Sequence, residues 1–215
     1  HTSKTSPAPV WDIDTHLTTV TYAPQLKDSA GLHRFHWDMR HLGAWDKRPA
    51  RSYGNGPLVM PGIYTARLTA GNQTSEVRFE VKMDPKVTAA GVTTQQIAAQ
   101  TQFTIKTANL LTQTRIALDT IQSERKAIEE RRKNEKASKD DPAREMQLKK
   151  WEEQLNTAEG RYMQPMLVEQ VSYLLSMLNQ ADQQPGNDAM ERFEELNMIW
   201  QEIRKQMSAA DPSKP

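Results

Sequence analysis

The sequence predicts an α+β chain: an antiparallel, sandwich-type β unit over residues 1–90, then a helical unit over 91–210, with a short tail at 211–215. Three observations carry this. Most of the prolines and glycines precede residue 90, while Gln, Glu, Lys, Arg, Leu and Met dominate after it. Before that point apolar residues alternate with period two; after it they recur at spacings of three and four.

In the β unit, "HLTTVTY" (16–22) is a possible first strand. "HRFHWDMR" alternates cleanly and reads as a core strand. Phe35, Trp37 and Met39 fall on one face, and Arg34, His36, Asp38 and Arg40 on the other. Pro61-Gly62 is a turn that launches the next strand. "GIYTARLTAGNQTSEVRFEVKM" is a hairpin: Tyr64, Ala66 and Leu68 share a face of one strand, Val77, Phe79 and Val81 a face of the other. Gly71 and Asn72 supply the turn, both being tolerant of positive φ. These strands are too few to bury Phe35, Trp37, Val77 and Phe79 on both sides. The open face should therefore be covered by the first helices, another chain or a missing region.

Thr93 and Gln96 have the spacing of a capping box, which starts a helix over about 94–136. Its seam is Phe103, Leu110, Leu111, Leu118, Ile121 and Ile128. "KNEKASKDDP" breaks it. Asp141 caps a second helix, with Pro142 at its first position, running to about 181 through Leu148, Trp151, Leu155, Ala158 and Tyr162. Gly160 and Pro165 kink or interrupt it near 160–165, since a proline lacks the N–H that helix bonding requires. "QQPGN" is the next turn, and a third helix over 188–208 carries Phe193, Leu196, Trp200, Ile203 and Met207.

The first two helices run about 40 residues, or roughly 60 Å; the third is about half that. The expected arrangement is an antiparallel three-helix bundle whose far end, around Lys133–Asp141, projects as a two-helix coiled coil. Ile128 then faces Trp151 or Lys150, Ile121 faces Ala158, Leu111 faces Leu167 and Phe103 lies near Leu175. Phe193, Leu196, Trp200 and Ile203 lie against Val171, Leu174, Leu175 and Leu178.

Composition excludes several functions. The formal net charge of +1 lacks the basic excess of a nucleic-acid binder. No apolar run is long enough for a membrane span. Zero cysteines rules out disulfides, thiolate metal sites and cysteine nucleophiles. A chain starting at His1 reads as processed or cut from something larger.

Three histidines crowd "GLHRFHWDMRH" (31–41), yet His33 and His36 are an odd number apart and point to opposite faces of a strand. His41 lies beyond it. No metal site, cofactor or catalytic residue is expected. Asp38 and Asp46 read as surface acids rather than the paired carboxylates of a glycosidase. Nucleophile-elbow, zincin, P-loop and dinucleotide fingerprints are missing. The unusual segment is the loop "HLGAWDKRPARSYGNGPLVMPG" (41–62), which combines Trp45 and Tyr53 with Lys47, Arg48 and Arg51. Loops of this length are often functional or disordered, and exposed aromatics stack on sugars or dock partners; the plainer reading is a connection packed on the sheet. Trp45, Tyr53, Arg48 and Arg51 are therefore the candidate interaction residues, with Trp11 as a further aromatic. "ERKAIEERRKNEK" (124–136) reads as a solvated helix face. Met163, Met166, Tyr173, Met177, Met198 and Trp200 read as core fillers, with a docking stripe as the other possibility.

"GLHRFHWDMRHLG", "GPLVMPGIYTARLTAGNQTSEVRFEVKMDPKV" and "QPMLVEQVSYLLSMLNQADQQPGNDAMERFEEL" together resemble the C-terminal region of large exported bacterial proteins. Those proteins open with a sortilin-like, Asp-box β-propeller, often labelled glycosyl-hydrolase-like. The two strand motifs also resemble the immunoglobulin-like module of flagellar hook-capping proteins. The resemblance spans roughly residues 30–205 and implies an Ig-like β unit whose earlier strands precede "GLHRFHWD". No catalytic residue carries over, because the propeller lies outside this chain. The expected function is thus a non-catalytic structural and interaction module of an exported, cell-surface or periplasmic bacterial protein. Its partner would be the propeller or another subunit, with oligomerisation possible. The alternative is a carbohydrate-binding accessory using the loop aromatics.

Overall fold

The computed structural model describes residues 29–49, 51–134, 136, 138–160 and 163–210. The strand expected at 16–22, Trp11, Tyr162 and the tail 211–215 lie outside the described residues. The chain is mixed α+β and mostly helical. Among the described residues, a two-stranded antiparallel sheet, β1 (Gly62–Ala70) and β2 (Gln73–Val81), is followed by five helices. These are α1 (Pro85–Ala89), α2 (Thr94–Lys133), α3 (Asp141–Leu155), α4 (Leu167–Leu178) and α5 (Asn187–Ala209).

The hairpin forms where its alternation places it, with Tyr64 opposite Phe79 and Ala66 opposite Val77. Its turn has positive φ at Gly71 but not at Asn72, the type II′ pattern that glycine at the first turn position permits. The core strand expected from "HRFHWDMR" does not form. Its pairing is reduced to an isolated bridge between Arg40 and Leu58. Two things act together: its backbone finds no further partner strand among the described residues, and Asp38 Oδ1 accepts the Arg40 amide at 3.0 Å while Met39 takes φ +55°, which breaks an extended run. Trp37 nevertheless keeps the face that alternation assigns it. Its ring lies 5.6 Å from Tyr64 and 5.9 Å from Phe79, centroid to centroid.

Helix α1 was not foreseen; Asp84 caps it by accepting the Lys86 amide at 2.7 Å, with Pro85 in the first turn. The Thr93 capping box forms as read, with Thr93 Oγ1 accepting the Gln96 amide and Gln96 Oε1 accepting the Thr93 amide. Asp141 is the first residue of α3, and Asp140 occupies the N-cap position. The Asp141 carboxylate instead accepts the Ser138 amide at 2.9 Å and pairs with Arg131 at 2.6 Å. The second predicted helix is interrupted rather than kinked, ending at Leu155 and resuming at Leu167. Gly160 has φ +157°, and Thr157 Oγ1 closes the gap by accepting the Met166 amide and donating to Glu169.

The core lies among the helices. Leu111, Ile121 and Ile128 of α2, Leu148, Trp151 and Leu155 of α3, and Val171 and Leu174 of α4 are buried in one cluster with Phe193, Leu196, Trp200 and Ile203 of α5. Polar pairs record how the helices run. Gln122 and Arg125 of α2 both reach Glu152 of α3, and Arg132 reaches Glu145, so α2 and α3 are antiparallel. On α5, Phe193 packs edge-on against Phe103, Glu194 pairs with Lys106, and the Trp200 indole donates to Gln113, so α5 runs parallel to α2. Of the residues expected to fill the core, Trp200 does so; Met163, Tyr173, Met177 and Met198 are exposed. Met163 lies in the connection between α3 and α4; Tyr173, Met177 and Met198 fall on the outward sides of helices whose inward positions are held by Leu167, Val171, Leu174, Leu178, Phe193, Leu196, Trp200 and Ile203.

Candidate interaction site

The long loop is a compact knot pinned to α2. Its two limbs exchange backbone bonds: Val59 N to Met39 O, His41 N to Pro57 O, Gly43 N to Tyr53 O and Tyr53 N to Ala44 O. Glycine is required where they touch. A Cβ on Gly43 would stand 1.9 Å from the Gly54 oxygen, and one on Gly56 would stand 2.0 Å from the His41 oxygen. The Trp45 amide donates to Thr112 Oγ1 at 3.0 Å, Arg115 donates to Trp45 O at 3.0 Å, and Thr101 donates to Leu58 O at 3.2 Å. Lys47 pairs with Asp119 at 2.5 Å. The loop thus packs on a helix, not on the sheet.

Threonines make this docking possible, and sequence reasoning missed them. Thr101, Thr104, Thr107, Thr112 and Thr114 are all buried on α2. Thr104, Thr107 and Thr112 each donate to the carbonyl four residues back, which satisfies the hydroxyl inside the helix. Thr112 Oγ1 then still accepts from the loop. The available signal was a run of poor helix formers, β-branched and polar, in the middle of a long helix.

The four candidate residues separate. Tyr53 is buried, 8% exposed, and burial pushes its phenol pKa up, so it offers no surface contact. Trp45 is half-buried, while Arg48 and Arg51 are exposed and flank Asp46. Burial alone would raise the Asp46 pKa. The Arg48 amide, then the Arg115, Arg51 and Arg48 guanidiniums, more than offset it and hold the carboxyl below its ordinary range. Arg115 shifts down, chiefly through burial, and repulsion from Arg51 and Arg48 acts the same way. A cavity of about 350 Å³ opens here, between the loop, α2 and α4.

Two further surfaces stand out. One is the hairpin face, where Trp37, Tyr64 and Phe79 form an aromatic trio that no helix covers among the described residues. Val77 beside it is 62% exposed. The other is a groove of about 590 Å³ between α4 and the start of α5, walled by Pro165, Tyr173, Met177 and Pro185. Gln100 braces it, donating to Leu178 O and accepting from the Gln183 amide.

The histidines do not converge. His33 bonds the Ser29 carbonyl at 2.7 Å, His36 is exposed, and burial lowers the pKa of His41. Among the described residues no group of three metal-ligating side chains is found. No described helix is long and apolar enough to cross a membrane. No family model, no curated protein and no solved structure matches the chain.

Proposed function

We propose that this chain is a non-catalytic interaction module, the C-terminal part of a larger exported β-propeller protein, and that its β unit is an incomplete immunoglobulin-like sheet finished by another part of that protein. The observation that carries this reading is the aromatic trio on a two-stranded sheet. Trp37 and Phe79 remain 38% and 36% exposed, with Leu68 and Val77 more exposed still. Covering what is still exposed recovers part of the about 1.5–3 kcal/mol that full burial of such a side chain is worth, and among the described residues both hairpin edges offer backbone groups to an added strand. The helices support an assembly role. The contacts between α5 and α2 run from Phe103 to Gln113, whereas α3 pairs with α2 from Gln122 to Arg132. The α2–α3 end then serves as the projecting arm, ringed by the ion pairs of Arg125, Arg131, Arg132 and Arg144.

The test compares this chain with a longer one that includes the coding sequence upstream of His1. Hydrogen exchange of the β1 and β2 amides and acrylamide quenching of Trp37 are the readouts. The reading expects slower exchange and weaker quenching in the longer chain. Unchanged values, or hydrolysis of a glycan or peptide by the chain alone, would defeat it. The second reading, a carbohydrate-binding accessory, loses Tyr53 but keeps Trp45 beside a concave, charged cavity.

A further inference from the structure

We propose that the cavity between the loop, α2 and α4 binds a singly charged, carboxylate-bearing sugar of the uronic-acid class. This is independent of the assembly reading and deepens the carbohydrate one. The warrant begins with charge. Lys47, Arg48, Arg51 and Arg115 line the cavity against Asp46, Asp119 and Glu169, an excess of one positive charge. Lys47 is matched by Asp119. Three guanidiniums, however, converge on the one carboxylate of Asp46, each at 3.6 Å. That is longer than the roughly 2.7–2.9 Å of a strong charge-assisted bond. Asp46 cannot saturate all three, because one of its oxygens already accepts the Arg48 amide at 2.9 Å.

The two guanidiniums best placed for a ligand are those of Arg48 and Arg51, with side chains 69% and 54% exposed, against 19% for Arg115. Their planar forks match a carboxylate. A doubly charged phosphate would overshoot the excess and face Asp119 and Glu169. A cavity of about 350 Å³ lies at the small end of ligand sites. Its remaining wall suits a ring with one apolar and one hydroxylated side: Trp45, Leu118 and Val168 on one hand, Gln122 and Ser172 on the other. The site is preorganised, since Arg115 is tied to the Trp45 carbonyl and Trp45 to Thr112.

The experiment is an NMR titration of the full ¹⁵N-labelled chain with glucuronate, glucose, inorganic phosphate and a short acidic peptide, following the Trp45 indole and Arg115 amide. Glucuronate is expected to saturate in the millimolar range, and the R48Q/R51Q double variant to weaken it at least about tenfold. Both side chains are exposed, so that variant should still fold cooperatively, its Tm lowered only slightly by the loss of their attraction to Asp46. Glucose binding equal to glucuronate would overturn the carboxylate assignment while sustaining the carbohydrate reading. Equal or tighter binding of phosphate would make this a simple anion site, and tighter binding of the peptide would make it a protein contact. Absence of any saturable shift would overturn the proposal and the carbohydrate reading together.

Discussion

Phe193 and Phe79 are the same residue in the two halves of one chain, and they are 2% and 36% exposed. Phe193 lies against Phe103, under Lys106, within a core drawn from four helices. Among the described residues, Phe79 has two aromatic neighbours and remains partly open to solvent. The difference is topological. A helix hides its backbone bonds within itself, so it needs only neighbours for one stripe, and a chain that doubles back provides them. A two-stranded sheet leaves both edges and at least one face unfinished, and is marginal on its own.

Substitutions sharpen that contrast. The largest effect should come from Trp200→Ala, about 3–5 kcal/mol, because the indole is wholly buried and its N–H bonds Gln113. Ile128→Ala should cost about 2–4 kcal/mol. It lies on the two-helix end, where fewer neighbours would suggest a milder loss, yet it is as deeply buried as Trp200. Urea unfolding measures both, and a loss near zero at Ile128 would mean that the α2–α3 end is loosely packed.

Gly43→Ala should cost about 1–3 kcal/mol, since its new methyl would have to displace the Gly54 backbone. The loss should be accompanied by a change in Trp45 fluorescence, as the knot lifts from Thr112. Phe79→Ala should cost only about 1 kcal/mol in this chain, mostly the trio's aromatic contacts. In a longer chain with a completed sheet the same substitution should cost markedly more; equal losses in both would show that nothing closes that face.

The smallest effect is a shallow loss of stability in acid, in two windows. Burial lowers His41 from its ordinary 6.5, so below that value the unfolded chain binds the proton more readily, and stability declines until pH passes the folded value. Asp46 is depressed below 3.8, so its contribution is present above that value and is lost as pH falls through the folded one. The R48Q/R51Q variant should flatten the lower window and leave the upper one unchanged, as seen in chemical denaturation across pH.

Much of the helical half was legible residue by residue. The Thr93–Gln96 box, the seam through Leu111, Ile121 and Ile128, and the α5 set Phe193, Leu196, Trp200 and Ile203 all follow from spacing and local chemistry, and the structure buries or bonds them accordingly. Less was legible at the candidate site. Trp45, Arg48 and Arg51 were found as a loop of unusual composition, but Arg115 and Asp119 come from more than 60 residues further along α2 and no local pattern links them to the loop. Tyr53 went the other way. Its sequence neighbours suggest exposure, while its backbone pairs with Gly43 and Ala44 and draws the ring inward.

The sequence by itself determined what nearest neighbours decide: hairpin register through period two, helix starts through caps, the break at Gly160 and Pro165. Tertiary structure decided which surfaces meet. Whether "HRFHWDMR" is a strand depends on a partner strand, and among the described residues its backbone finds one only at Arg40 and Leu58. Whether the loop rests on sheet or helix depends on threonine hydroxyls that are already satisfied within α2 and still accept a distant amide. Periodicity reports which face of an element is apolar. It does not report what that face touches, because that is set by the competition among all available apolar surfaces for burial.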